Sequence, residues 1–303
     1  MLANEVMLSS YDQLQVALSV LIAVSASYAA LDLAGRVTAA RGLTRSAWLT
    51  GGAVSMGIGI WAMHYIGMLA FRLPVPVSYH WPTVLLSLLA GISCSAFALM
   101  LVSRQRMSFR YAVIGSLIMG SGIAALHYIG MAAMRLAAIC QFDHLVVTLS
   151  VLLAIVFSLA ALWLAFYFRE EHKGMLWRKV GGAVIMGGAI SAMHYTGMAA
   201  ASFLPSSSRP DLSHTVSISS LGTVGIGIVT LIVLGLAILT CAVDRRFDAQ
   251  SLESPKSCGR AALSKPCLTP SQFTPAVSPL LSGFGISAAT RSTDPASSIP
   301  TSR

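Results

Sequence analysis

Charge is scarce in this chain of 303 residues: about a tenth are Asp, Glu, Lys or Arg, only 11 of them acidic, and mean hydropathy is +0.75. So little charge excludes an ordinary soluble domain, in which roughly a quarter of residues are charged, and places the chain among polytopic membrane proteins. Cysteine is sparse too. Its 5 copies are scattered at Cys94, Cys140, Cys241, Cys258 and Cys267; only Cys140 is expected on an oxidising side, which excludes a disulfide framework. Met1 to Gln13 lack the positive region of a secretory signal, and no small-residue cleavage site follows the first apolar run. The first span is therefore expected to be an uncleaved anchor.

What the chain does have is a series of long apolar runs. Taken at about 20 residues each, they predict seven transmembrane spans near 14–33, 48–71, 83–103, 111–134, 145–168, 180–204 and 218–243. An odd number puts the two ends on opposite sides. The net charge of +9 would fit a nucleic-acid binder, but in a membrane protein basic residues first report orientation. Arg36, Arg41, Arg45, Arg104, Arg106, Arg110, Arg169, Lys173, Arg178 and Lys179 fall in loops of one side, and Arg245, Arg246, Lys256, Arg260, Lys265, Arg291 and Arg303 follow the last span. The other side has Arg72, Arg135 and Arg209 alone. This asymmetry predicts an outer N-terminus and a cytoplasmic C-terminus in the bacterial inner membrane, and removes nucleic acid as a partner.

Three segments follow: a short outer stretch at 1–13, a seven-helix membrane domain at 14–243, and a cytoplasmic tail at 244–303. The tail is rich in Ser, Pro, Thr and Ala and reads as disordered. It is too short and plain to be an enzyme, so no catalytic activity is expected. The fold class is all-α, membrane-embedded.

Inside the apolar sequence one string occurs three times: Met63-His64-Tyr65-Ile66-Gly67-Met68, Leu126-His127-Tyr128-Ile129-Gly130-Met131 and Met193-His194-Tyr195-Thr196-Gly197-Met198. Aligned on the histidines, Met56, Met119 and Met186 coincide, as do Gly57, Gly120 and Gly187. The domain thus reads as three tandem two-helix units plus one extra helix. The motif-bearing spans run in the same direction, so the motifs lie at one depth in the outer half of the bilayer.

A buried imidazole in a membrane span is costly and calls for a function. Residues i and i+4 share a helix face, which pairs His64 with Met68, His127 with Met131 and His194 with Met198. Imidazole and thioether together suit copper, the thioether Cu(I) in particular. Met63 and Met193 point about 100° away and rank below the i+4 methionines as ligands; Leu126 occupies that position in the second copy. Taken singly, a His-Tyr pair near an interface is ordinarily an aromatic anchor and a membrane methionine is ordinarily filler. Three copies keeping His, Tyr, Gly and Met while Ile66, Ile129 and Thr196 vary favour a shared site. Tyr65, Tyr128 and Tyr195 fit either interface anchoring or a supporting redox role. His80, His144 and His214, each just before the next helix, are ordinary loop histidines or guides for an ion, and His172 lies on the other side. Arg72 and Arg135 are expected to snorkel, and Asp32 to pair with Arg36.

The motif, the seven spans and the stretch Ala26-Ser27-Tyr28-Ala29-Ala30-Leu31-Asp32 resemble the MHYT family of bacterial integral membrane sensors. The resemblance implies a copper site near the outer face of the cytoplasmic membrane built from His64, Met68, His127, Met131, His194 and Met198, with Met63 and Met193 as lesser members. It also implies a response to oxygen, carbon monoxide or nitric oxide. Relatives in that family often continue into cyclic-dinucleotide enzymes. No such domain is read in 244–303, so a signal is expected to pass to a separate cytoplasmic partner. Two alternatives stay open: a haem held by two axial histidines, and a copper-handling or transport protein.

Overall fold

A computed structural model describes residues 6–104, 106, 108–168, 176–206, 210–217, 225–228 and 230–243. Six helices follow one another: α1 (Gln13–Ala39), α2 (Gly42–Ala70), α3 (Trp81–Val102), α4 (Phe109–Ala132), α5 (His144–Phe168) and α6 (Leu176–Ala199). A further helix, α7, spans Gly225–Val243. All except α6 are long and apolar enough to cross a membrane. In α6 glycine, serine, His194, Tyr195 and Thr196 dilute the hydropathy, and the helix is shielded by packing against α1 and α5. The tail at 244–303, the basic residues Arg169, Lys173 and Arg209, His172, Cys258, Cys267 and the start of the last predicted span lie outside the described residues.

The helices exceed the predicted spans at several ends. Residues 34–39 continue α1, and α2 begins at Gly42, whose φ of 57° makes the turn between them. Arginine ends an apolar run without ending a helix, because it is a good helix former. The sixth span differs in the other direction: the helix stops at Ala199 and residues 201–205 form a strand.

The all-α expectation needs one amendment. Seven short strands cluster at the motif end of the helices: β1 (Ser10–Tyr11), β2 (Phe71–Arg72), β3 (Ser78–His80), β4 (Met134–Arg135), β5 (Ala138–Phe142), β6 (Ala201–Pro205) and β7 (Thr215–Val216). They pair antiparallel as β1 with β2, β3 with β4 and β7, and β5 with β6. In each unit the strand entering the odd helix pairs with the strand leaving the even one. The same joint recurs in the backbone: Asp12, His80 and Asp143 donate their N–H groups to the carbonyls of Ala70, Ala133 and Ala200 at 2.8–2.9 Å. Where water thins out, unpaired amides at helix ends are costly, and these clasps satisfy them. The strands have too few residues to show a period of two in the sequence.

α1 to α6 close into a ring of three units, α1–α2, α3–α4 and α5–α6, with α6 returning to α1. Glycine sets the spacing between units. A Cβ on Gly57, Gly120 or Gly187 would lie 2.6–2.8 Å from backbone atoms of Ile92, Ile155 and Val24, each on the odd helix of a neighbouring unit. Such close approach is how small residues let membrane helices associate. α7 packs through Ile226, Leu231 and Leu234 against α1 and α2. The outer surface carries exposed apolar side chains such as Leu89, Ile114, Leu152, Val156 and Ile185, as a lipid-facing belt requires.

Candidate metal centre

The three motif helices α2, α4 and α6 bring their histidines to one point. His64, His127 and His194 are at most 1% exposed, and their Nδ1 atoms form a triangle with sides of 3.1, 3.2 and 3.2 Å. The ring centroids stand 5.0–5.1 Å apart at interplanar angles of 76–87°, so the imidazoles are arranged as a three-bladed propeller.

The glycine of each motif explains how the rings fit. A Cβ on Gly130 would lie 2.1 Å from Nε2 of His64, one on Gly197 would lie 2.4 Å from Nε2 of His127, and one on Gly67 would lie 2.3 Å from Nε2 of His194. Each ring therefore rests on the motif glycine of another unit, and the three contacts close a cycle. Gly67, Gly130 and Gly197 are seats for imidazoles.

The triangle cannot be satisfied by hydrogen bonds among its own members. Each Nδ1 is either a donor or an acceptor in a neutral ring; with three atoms and two states, at least one pair must match, donor facing donor or lone pair facing lone pair. The three Nε2 atoms are buried with no hydrogen-bond partner among the described residues. If every Nε2 carries the proton, all three Nδ1 lone pairs converge, an arrangement that a cation resolves. The spacing is right for one: three nitrogens held at 2.0–2.1 Å from a tetrahedral ion stand roughly 3.3–3.4 Å apart. Among the described residues the triad forms the one His, Cys, Asp and Glu group close enough to share an ion.

Met68, Met131 and Met198 gather in a single buried cluster with Tyr65, Phe71, Tyr79 and Phe203, one helical turn, about 6 Å, towards the strand end. Met63 and Met193 turn elsewhere. Met63 packs with Ile22, Ala23, Ala62 and Ile66, whereas Met193 packs with Cys94, Ile123 and Ala154. That divergence follows from their rotation away from the i+4 face.

The tyrosines brace the ring from behind. Tyr195 shares a hydrogen bond of 2.8 Å with Ser19 on α1, and Tyr128 one of 2.6 Å with Ser150 on α5; Tyr65 is fully buried and has Ser87 of α3 beside it. Each of these serines also donates to a carbonyl three residues earlier in its own helix. Two of the motif helices, α6 and α4, are thus hydrogen-bonded to the odd helix of another unit. The sequence reading passed over Ser19, Ser87 and Ser150, although Ser87 and Ser150 follow His64 and His127 at equal intervals. Ser19 has no motif ahead of it and could be recognised only once the ring was closed.

Other expectations resolve individually. Arg72 pairs with Asp12 across the first clasp, and Arg135 donates to the carbonyls of Ala132 and Met134 at 2.8 and 3.1 Å; both caps serve protein groups at the strand end. His80 and His214 come within 6.3 Å centroid to centroid, while His144 stands exposed at the start of α5. Asp32 accepts from Lys179 of α6 at 3.0 Å, with both side chains buried, a contact between distant segments that a reading confined to one helix turn could not find.

The family model described as MHYT, "Bacterial signalling protein N terminal repeat", matches residues 57–115, 120–176 and 187–252. The chain is 44% identical over 84% of its length to a bifunctional diguanylate cyclase/cyclic di-GMP phosphodiesterase of Pseudomonas aeruginosa, MucR, of which it covers 37%. It is 33% identical over 80% of its length to the signaling protein YkoW of Bacillus subtilis, covering 30% of it. A cyclic di-GMP phosphodiesterase of P. aeruginosa, NbdA, is 38% identical over 63% of the chain, which covers 24% of that protein. The chain therefore spans between about a quarter and two fifths of the length of these relatives. No solved structure matches it significantly.

Proposed function

This chain belongs to the MHYT family of bacterial signalling proteins, and we propose that it is a sensor module of the inner membrane that holds one copper ion on His64, His127 and His194. The carrying observation is the Nδ1 triangle of 3.1–3.2 Å, whose hydrogen bonding is frustrated until three lone pairs share a cation. Met68, Met131 and Met198, one turn outward, add soft neutral donors that favour Cu(I) over harder divalent ions. Copper there would supply an open coordination position for a diatomic ligand such as oxygen, carbon monoxide or nitric oxide.

The protein's part is to hold the imidazoles and to convert a change in their spacing into helix movement. Each ring bears on the glycine seat of another unit, so a shift of one ring displaces the neighbouring motif helix. α2, α4 and α6 run from that point to the opposite, cytoplasmic end, where a signalling partner receives the output. An output in cyclic di-GMP signalling is supported by two relatives that bear the names of cyclic di-GMP enzymes.

Haem has less in its favour, because rings in mutual contact leave no slot for a macrocycle. Metal analysis of protein purified from membranes tests the reading. The His64→Ala/His127→Ala/His194→Ala variant is expected to hold one equivalent of copper fewer than the wild type. Equal metal in both proteins would overturn it.

A further inference from the structure

The repeat carries a second residue at a constant offset that the triad does not use. Met56, Met119 and Met186 stand eight positions before the motif histidines, roughly 12 Å along each helix towards the opposite end, and all three line one cavity of about 60 Å³ within the ring. Met193, which turned away from the triad, lines the same cavity. Four of the chain's 14 methionines therefore surround a single space on the inner side of the histidines. Its walls are otherwise Ala, Ile and Phe with two serines, too poor in polar groups to hold ordered water.

Packing accounts for these residues in part: Met56 and Met119 lie against the core cluster that holds Met186, and Met193 packs with Cys94, Ile123 and Ala154. Methionine in a core is a flexible filler that closes irregular gaps, yet here four of them border a gap that stays open. Their adjoining residues Gly57, Gly120 and Gly187 meet the odd helices, while the methionines themselves line the inner cavity. Several neutral, polarisable sulfur donors around a dry space select soft monovalent ions and discriminate against hard ones. The geometry points to a second metal site, thioether-only, that takes Cu(I) or its analogue Ag(I) in this inner cavity. The site stands on residues separate from the histidine triad and does not require it. With both in place, soft donors would be stacked along the ring axis, giving a soft ion two stopping points at different depths.

Ag(I), which needs no reducing agent, serves as the probe, measured by equilibrium dialysis on protein in lipid nanodiscs. One variant removes the outer donors: His64→Ala, His127→Ala, His194→Ala, with Met68→Leu, Met131→Leu and Met198→Leu. The other removes the inner ones: Met56→Leu, Met119→Leu, Met186→Leu and Met193→Leu, swaps that conserve apolar volume. Two ions per wild-type chain and one per variant are expected, and X-ray absorption of the outer-donor variant should show silver bound by sulfur alone. Wild-type stoichiometry in a folded inner-donor variant would overturn the proposal, as would no bound ion in a folded outer-donor variant. A wild-type ion that the outer-donor variant keeps and the inner-donor variant loses would uphold this site and reject the triad reading. Should the multiple variants fail to accumulate, Met119→Leu alone decides: a severalfold weaker second ion supports the site, and unchanged binding overturns it.

Discussion

The histidine seats tie chemistry to single atoms. Replacing Gly130 by Ala puts a methyl group where Nε2 of His64 lies, 2.1 Å from the new carbon; the ring must shift, and overpacking of this kind costs about 1–3 kcal/mol. Gly130→Ala should therefore lower the thermal unfolding temperature, and His64→Ala in the same chain should restore part of it by vacating the space. Gly188→Ala, with nothing within 4 Å, is the control and should be neutral or mildly stabilising. The three histidines can be separated in the same way. If they share one ion, single alanine variants should weaken retention of that ion in graded fashion and paired variants should lose it. Additive losses of stability with no change in metal, the pattern of independent sites, would return them to a packing role.

Contacts between helices decide whether the ring closes. Lys179 and Asp32, with side chains 8% and 1% exposed, join α6 to α1 and so complete it. Removing one member of a buried ion pair is destabilising. Lys179→Met should destabilise markedly, and Asp32→Asn added to it should recover part of the loss, read by thermal unfolding in detergent. The clasp at the other end answers to pH. The carboxyl of Asp12, which caps α1, is held below the usual carboxylate range first by the N–H of Gln15, then by Arg72. A depressed native value means that its contribution is present above the unfolded value of about 3.9 and fades as pH falls through the lower folded one. Asp12→Asn should flatten that part of the stability profile, and an unchanged acid limb would assign it to other carboxylates.

For the whole molecule, the question is which way the ring stands in the membrane. The uneven basic residues predict the strand end outside, and a periplasm-active reporter placed within Pro205–His214 should be active while one after Arg246 is silent. The reverse result would turn the histidine triad towards the cytoplasm. Two of the residues in that tally, Arg36 and Lys179, are buried in the ring, so the orientation depends on the remaining charges.

Much of this was legible in the sequence because hydropathy, tandem repeats and i, i+4 spacing are local properties. Length and apolar content were enough for the long helices, and the repeated offsets of His, Gly and Met brought the motifs to one depth. A closed ring was not legible, since it depends on α6 finding α1 across the chain. The strand clasps, the Tyr–Ser bonds and the Asp32–Lys179 pair all join segments far apart in the chain, and no local period announces them. The sequence could also count imidazoles and thioethers without separating them by direction. Only the packed helices brought Met68, Met131 and Met198 into one cluster and Met56, Met119 and Met186 around one cavity, because a side chain's neighbours depend on helix rotation, which is settled by how glycine lets the helices meet.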